Sequence, residues 1–485
     1  MSLIKRFFSN RKLGIFISFI QLSASLLLLG LIFNLNILPD KYLFVMIIVL
    51  SLAWVIILLT QIFTKLRAAG KIFSVIICVV IGFGCYYIIT VNNMIDSISN
   101  KKTKVDDISI IVMKDDPAQS LNDAKDYKFG IQKTIDRDNV NKAIENFNER
   151  LNRKINIVTY DGFYSQINAL YNKDIKVIIL NEAYRNTIDD VFPGFSQKTR
   201  VLDSYKVVTN VVLPSANKKV TENPFTIYIS GIDTYGPVSR TSRSDVNIIA
   251  VINPKTKQIL LHTTPRDYYV LLPNVNAMDK LTHAGNFGVD ASMATLKNLY
   301  GIELDYYIRV NFTSLIGMVD ELGGITVNSE YAFTSRGGKH HFNVGENKMN
   351  GEEALAFSRE RYAFASGDNQ RGINQTQVIK GIFNKACSPA ILKNYSSIMN
   401  KISGSFETNM TSDEIKSLVK MQMDDNASWN IVSNAATGTY GSMTTYSLGS
   451  RNVSVIIPDI SSIEKAKNKM EQVIQNAVIK NDEME

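Results

Sequence analysis

Three runs without a charged side chain dominate the first hundred positions, at 13–35, 42–63 and 72–93. A helix rises ~1.5 Å per residue and ~20 apolar residues cross a bilayer core, so each run predicts a spanning helix. The first is too long for the apolar region of a secretory signal, and no small-x-small cleavage site follows it, so it is read as retained. From 108 onward the pattern shortens. Apolar runs at 108–113, 155–159 and 177–180 predict strands. Segment 138–151, with Val140, Ile144, Phe147 and Leu151 at helical spacing, predicts a helix, as does 163–170. This predicts a small α/β unit over 99–212 with parallel pairing; it holds no phosphate-cradling glycine loop and no acid/base pair, as suits an accessory module.

The polar stretch LPSANKKVTENP at 213–224 predicts a linker. Beyond it, short apolar strands at 225–230, 246–252 and 259–262 and helices at 291–299, 312–322 and 352–358 predict a larger α/β domain over 225–485. A tail strand at 453–457 and helix at 462–478 are expected to cover the same sheet.

Charge adds topology. The formal net charge is +8, and the first 93 residues hold eight basic side chains against Asp40 alone. Lys5, Arg6, Arg11 and Lys12 precede the first run, and Lys65, Arg67 and Lys71 separate the second from the third. By the positive-inside rule the N-terminus is cytoplasmic and everything after about Asn93 lies outside. The basic excess is therefore a membrane signal, and no nucleic-acid partner is expected. Cys78 and Cys85 fall in the third run and Cys387 stands alone, which excludes a disulfide framework; His262, His283, His340 and His341 show no zinc-ligand spacing. The His340-His341 pair, amid Gly and Lys, reads as an exposed hairpin turn.

Candidate chemistry gathers at the strand ends of the larger domain. Strand 225–230 runs into GIDTYG, leaving Asp233 in a glycine-flanked turn; Arg243 and Asp245 stand two apart where the next strand opens, so period-2 geometry points both the same way. TTPRDYY adds Arg266 and Asp267, FSRERY adds Arg359 and Arg361, and GDNQRGINQTQ adds Asp368, Arg371 and Gln375. Singly these have ordinary readings: a turn former, a loop salt bridge, a solvated Arg-Glu-Arg face. Together, carboxylates beside several arginines suggest a hard-cation site next to an anion clamp, since Mg²⁺ takes one or two carboxylates plus phosphate oxygens and Arg grips phosphate bidentately. Asp320, before Gly323-Gly324, has a fold-keeping reading, and Tyr268, Tyr269, Tyr306 and Tyr307 can face sugar or lipid, or pack.

GIDTYG, RSDVNIIAVINPKTKQ, the PRD after a strand, FTSLIGMVDELGGITV, MNGEEALAFSRER and GDNQRGINQTQVIKGI, in that order over about 225–382, resemble the LytR-CpsA-Psr family of cell-wall glycopolymer transferases. Three spans before a small α/β unit resemble its streptococcal capsule-type members. Asn374 departs from the pattern, where many relatives have Arg. The resemblance implies an α/β/α domain with a central mixed sheet after the three-helix anchor (1–98) and the accessory unit. It also implies transfer of a capsular polysaccharide from an undecaprenyl diphosphate carrier to peptidoglycan, with other capsule-assembly proteins as further partners. By that resemblance Asp233 and Asp245 would hold Mg²⁺. Arg243, Arg266, Arg359, Arg361 and Gln375 would bind the diphosphate. Arg266, Asp368 and Arg371 would serve catalysis, Asp368 as base, and the polyprenyl tail would lie in an apolar cavity under the sheet. Two other readings share these residues: a lipid-glycan-sensing regulator and a polyprenyl pyrophosphatase. The regulator has about a dozen cytoplasmic residues before the first span, too few for a DNA-reading module of ~600 Å² or more.

Overall fold

The structure, a computed structural model, describes residues 9–98, 103–210, 216, 218–232, 234, 238–388 and 406–480. Three long helices open it: α1 (Arg11–Leu35), α2 (Asp40–Thr60) and α3 (Arg67–Ile98). All three are long and apolar enough to cross a membrane. The Asn10 side chain caps α1, accepting from the Leu13 N–H, and Asn36 ends it in the left-handed conformation.

A five-stranded sheet follows, made of β1 (Thr103–Met113), β2 (Lys128–Gln132), β3 (Asn156–Tyr160), β4 (Val177–Asn181) and β5 (Thr199–Asn210) in the order β3-β2-β4-β1-β5. Helices α4 (Arg137–Leu151), α5 (Phe163–Tyr171) and α6 (Arg185–Val191) join its strands. The parallel pairing expected throughout holds for β2 with β3 and β4, whereas β1 pairs antiparallel with both β4 and β5. Residues 114–127 form turns and no helix, so the chain leaving β1 has no crossover element, and parallel strands need one.

In the segment read as a linker, residues 213–215 and 217 lie outside the described residues. The rest is pinned down: Val220 is buried and Lys218 pairs with Asp305 at 2.7 Å.

The larger sheet has six strands: β6 (Phe225–Ile232), β7 (Ser244–Asn253), β8 (Gln258–Thr263), β11 (Tyr306–Asn311), β16 (Phe406–Thr408) and β17 (Asn430–Ala435). Their order is β16-β11-β6-β7-β8-β17, and the sheet is mixed, with β11 parallel to β6 and β17 parallel to β8. Alternate residues of β7 serve opposite layers, which is why the strand reads as one apolar run. Ile249 and Val251 pack under α7 (Val289–Tyr300) and α12 (Ile460–Ile474), and Ile248, Ala250 and Ile252 join the layer of α10 (Asp368–Ala386) and α11 (Ser412–Asp425). Helices α8 (Phe312–Glu321) and α9 (Gly351–Arg359) stand beside the sheet, with the small ladders β12 (Ile325–Ser329) with β15 (Gly345–Met349) and β13 (Phe333–Thr334) with β14 (His341–Phe342). Asp320 accepts from the Gly351 N–H at 2.7 Å and so ties α8 to α9.

The tail helix covers the sheet as expected. The tail strand, β19 (Gly449–Pro458), pairs with β18 (Gly438–Thr445) in a separate hairpin, and its Ile456 joins the same core layer over the sheet. A further hairpin, β9 (Tyr269–Leu272) with β10 (Ala277–Lys280), lies between β8 and α7. Tyr268, Tyr306 and Tyr307 are packing residues, all buried, and the Tyr269 hydroxyl donates to the Thr444 carbonyl.

The globular part sits on one end of the apolar helices. Lys420 of α11 reaches Asp40 at 2.9 Å, Lys41 reaches Asp424 at 3.0 Å, and Lys416 donates to Asn92 at 2.8 Å. Leu35, Ile37, Val91 and Ile95 join the apolar cluster of Val319, Phe333 and Phe357, so the helix ends and the α8–α9 side share one core.

Candidate active site at one edge of the six-stranded sheet

Because β6 runs antiparallel to β7 and β7 to β8, the end of β6, the start of β7 and the end of β8 lie at the same end of the strands, where loops can aim side chains into one crevice. A cavity of about 950 Å³ opens there. Arg243, Asp245, Arg266, Arg359, Arg361, Arg371 and Gln375 all line it. Asp368 lies just beneath, in a small adjoining space shared with Asp245, Arg266, Arg371 and Gln375. Asp233 lies outside the described residues.

Asp245 owes its aim to a bulge. Gly231 pairs with Val246 and Ile232 with Ser244, which leaves Asp245 as the extra residue of β7. A bulge bends the strand and re-aims the side chain, so Asp245 reaches the cavity without the regular alternation the sequence suggested. Tyr228, Ser230, Ser244 and Asn247 hold the spot: the Tyr228 hydroxyl meets Ser244 at 3.0 Å and Asn247 at 2.7 Å. Gly285 presses on the backbone of Arg243 and Ser244. A Cβ there would stand 2.5 Å from the Ser244 nitrogen, so only glycine allows the approach.

Arg266 Nη1 donates to Asp245 Oδ2 at 2.6 Å, Thr282 Oγ1 donates to Oδ1 at 3.1 Å, and Arg243 Nε stands 3.4 Å from Oδ1. Burial alone would raise the Asp245 carboxyl, but the charges of Arg266, Arg243 and Arg371 outweigh it and hold the group far below the usual carboxylate range. Asp267 is treated alike: burial raises it, and Arg266 and Lys280, the latter at 3.2 Å, bring it below its ordinary value. Asp368 goes the other way. Burial raises its carboxyl, and its ion pair with Arg371 does not offset that. One cavity wall thus holds carboxylates fixed in the charged form beside one displaced toward protonation.

In the Arg-Glu-Arg stretch the two arginines reach solvent and the cavity, and the glutamate does not. Glu360 is buried and accepts from the backbone N–H of Arg336 at 2.6 Å, Tyr362 at 2.8 Å and Arg361 at 3.0 Å, which fixes the turn after α9. That turn holds Arg359 over the Phe312 ring at 4.2 Å and Arg361 over Tyr362 at 4.7 Å. Asn374 faces away from the cavity, accepting from Gln370 and donating to the Phe357 carbonyl.

The apolar lining is not under the sheet. Both faces of the sheet are filled by packed side chains, and the cavity's apolar wall is Phe312, Leu315, Ile316, Leu355 and Ala356 of α8 and α9. His340 lines the mouth from the β13–β14 turn. Sequence reasoning missed Arg336, Lys339, Lys280 and Arg451, which add positive charge around the opening, and Asp190 of α6, which reaches it from the accessory sheet. Those four cations carry no local signature, because only tertiary packing brings them to the rim.

Among the described residues no three metal-ligating side chains cluster. A site of one or two carboxylates plus substrate oxygens needs no such cluster, and Asp245, ionised and facing the cavity, has the chemistry to serve one.

The model of the LytR_cpsA_psr family matches residues 195–472, more than half of the chain. Among similar proteins are two named polyisoprenyl-teichoic acid--peptidoglycan teichoic acid transferase TagU. The Enterococcus faecalis protein is 36% identical over 200 residues, 41% of this chain and 65% of its own length. The Bacillus subtilis protein is 36% identical over 202 residues, 41% and 64%. The chain therefore covers a little under two thirds of these relatives. The crystal structure of B. subtilis TagU is 28% identical, with a TM-score of 0.42 over 53% of this chain and 100% of that one. With its strand-edge cavity and a family match over most of its globular part, the chain belongs to the LytR_cpsA_psr family.

Proposed function

We propose that this chain is a membrane-anchored transferase that moves a glycopolymer, carried as a glycan phosphate on a polyprenyl diphosphate, to a hydroxyl of peptidoglycan and releases polyprenyl phosphate. One observation carries the reading: Asp245 gripped by Arg266 and Arg243 on the wall of a cavity that Arg359, Arg361, Arg371 and Gln375 also line. Such a set suits a diphosphate, because several guanidinium groups can share charge that shifts toward the leaving phosphate in the transition state. The printed names of the E. faecalis and B. subtilis relatives support the same class of carrier and acceptor.

The acceptor oxygen bonds to the phosphorus bearing the glycan, and the bond from that phosphorus to the bridging oxygen breaks, leaving polyprenyl phosphate. Asp368, with its raised carboxyl, accepts the acceptor's proton, and Arg371 orients it. Arg266 and Arg243 hold the diphosphate oxygens. A Mg²⁺ ion held by Asp245 and Asp233 would neutralise phosphate charge. The apolar wall from α8 and α9 receives the first isoprene units, on the side where the globular part meets the ends of α1 and α3. That docking, at the helix ends away from Lys12, Lys65 and Arg67, suits a cytoplasmic N-terminus and an extracellular catalytic part. A capsular polysaccharide is the polymer we assign, from the three spans and the extra α/β unit.

The test is release of polyprenyl phosphate from a lipid-diphosphate glycan by the full chain in detergent. Arg266→Ala is expected to lower the rate by roughly a hundredfold or more, the scale of losing one preorganised charge donor. An undiminished rate would remove the cavity from the reaction. Asp368→Asn should lower kcat by about a hundredfold and abolish the acid limb of its pH profile, and an intact limb would disqualify Asp368 as base.

A further inference from the structure

The accessory sheet is joined to the loop that carries the anion clamp. Val105 of β1 donates its N–H to the Ser239 carbonyl at 3.2 Å and accepts from the Thr241 N–H at 3.1 Å. Asp107 pairs with Arg240 at 2.9 Å. The segment leading into Arg243 is thus held against β1 by a single parallel bridge, Val105 to Arg240. Tyr184, next to α6, stacks edge-on against Phe287 of the larger domain with ring centroids 6.3 Å apart, which sets α6 at the cavity.

From α6 a single carboxylate enters the clamp. Asp190 Oδ2 accepts from Arg243 Nη1 at 2.6 Å and lies 3.9 Å from Arg266 Nη2. The two guanidinium groups are buried, at 8% and 9% side-chain exposure, whereas Asp190 is 57% exposed and lines the cavity. A phosphate oxygen bound to Arg243 from the cavity must compete for the donors that Asp190 holds. Asp245 differs in kind, because it belongs to the same strand end as Arg243 and is held by both arginines and by Thr282, with 17% side-chain exposure against 57% for Asp190.

We propose that Asp190 is a specificity-determining residue of the site: an internal anion, supplied by the accessory unit, that only a ligand bridging several arginines displaces. This rests on the diphosphate reading above. A diphosphate engages Arg243 and Arg266 together with further cavity arginines, and so outcompetes one carboxylate. A monophosphate replaces Asp190 at little gain. The residue therefore favours entry of the diphosphate carrier and expulsion of the monophosphate product, and it gives the accessory unit a direct part in the site's chemistry.

The experiment measures binding of farnesyl diphosphate and farnesyl phosphate to the full-length protein in detergent, with Mg²⁺ present and ionic strength fixed. Asp190→Asn keeps the shape and removes the charge. It is expected to tighten farnesyl phosphate by about tenfold and farnesyl diphosphate by less, so that the preference for diphosphate falls at least about threefold. Asp190→Ser, which removes the carboxylate by another route, should move the ratio in the same direction. A merely structural role would weaken both ligands in parallel, and that result, or an unchanged ratio in both variants, would overturn the proposal. The control is Arg266→Ala. If the wild type binds neither ligand, or binds farnesyl diphosphate equally well without Arg266, the diphosphate reading fails and the inference falls with it. If Arg266→Ala abolishes binding while both Asp190 variants keep the ratio, only the inference falls.

Discussion

Both sheets bury carboxylates, and they treat them in opposite ways. In the accessory sheet Asp106 and Asp136 share two amides: Asn139 donates to both, and Asn181 donates to Asp106 at 3.1 Å and Asp136 at 2.6 Å. Burial, only partly offset by Asn181 and aggravated by the Asp106 charge, pushes the Asp136 carboxyl up to about 6. At the strand ends of the larger sheet Asp245 is likewise largely enclosed, yet arginines keep it charged. Burial alone therefore does not define a site here. The identity of the partner decides whether a hidden carboxylate is a titrating structural group or a fixed charge, and only the fixed charge stands at a cavity with arginines to spare for a ligand.

That contrast can be broken at several points. The largest effect is expected from Arg266→Ala, which strands Asp245 without its closest cation. Breaking a buried pair on one side costs about 3 to 5 kcal/mol, and chemical unfolding of the full chain should show most of it. A loss under ~1 kcal/mol would mean that water reaches Asp245 and that the pair is a surface one.

His262, buried in the core behind the site, is a titrating group held by neutral partners. Asn434 and the Tyr300 hydroxyl satisfy its two ring nitrogens at 3.0 and 2.8 Å. Burial lowers it from 6.5 to about 4. As pH falls, the unfolded chain takes this proton first. The His262 contribution is therefore complete above pH 6.5 and is lost as pH falls toward 4, by about 3 kcal/mol at ~1.4 kcal/mol per pH unit. His262→Gln should flatten that window in a pH series of thermal unfolding, and an unchanged slope would place the acid sensitivity elsewhere.

Asp136 has the reverse sign and the smallest effect. Its folded value of about 6 lies above the ordinary 3.8, so its contribution is complete below 3.8 and is lost as pH rises through 6. Asp136→Asn removes the buried charge and tolerates the left-handed backbone there, at φ 51°, but gives up one of the two amide hydrogen bonds that the carboxylate accepts, so the net gain at pH 7 should be about 1 kcal/mol. Destabilisation by the same change would show that Asp136 works as an anion, like Asp245, and would erase the contrast.

Much of this was legible in the sequence for definite reasons. The apolar helices show because nothing interrupts their runs, and β6, β7 and β8 show because burial on both faces makes them continuously apolar. Seven of the expected site residues line one cavity: Arg243, Asp245 and Arg266 because the start of β7 and the end of β8 meet at one end of the sheet, and Arg359, Arg361, Arg371 and Gln375 because the end of α9 and the first turns of α10 pack beside it. What stayed hidden depends on distant parts of the chain. The Asp245 bulge is a register event between two strands, and the burial of Glu360 depends on where the β13–β14 turn lands. Asp190 is one aspartate on a seven-residue helix, and no local pattern marks it as a neighbour of Arg243, 53 positions away.

Transfer and hydrolysis part at the fate of the glycan phosphate. With the full chain, a lipid-diphosphate glycan and peptidoglycan fragments, transfer gives one phosphodiester-linked glycan on peptidoglycan for each polyprenyl phosphate released, and neither product is expected with Arg266→Ala. Free glycan phosphate in place of the linked product, with acceptor present in excess, would contradict it.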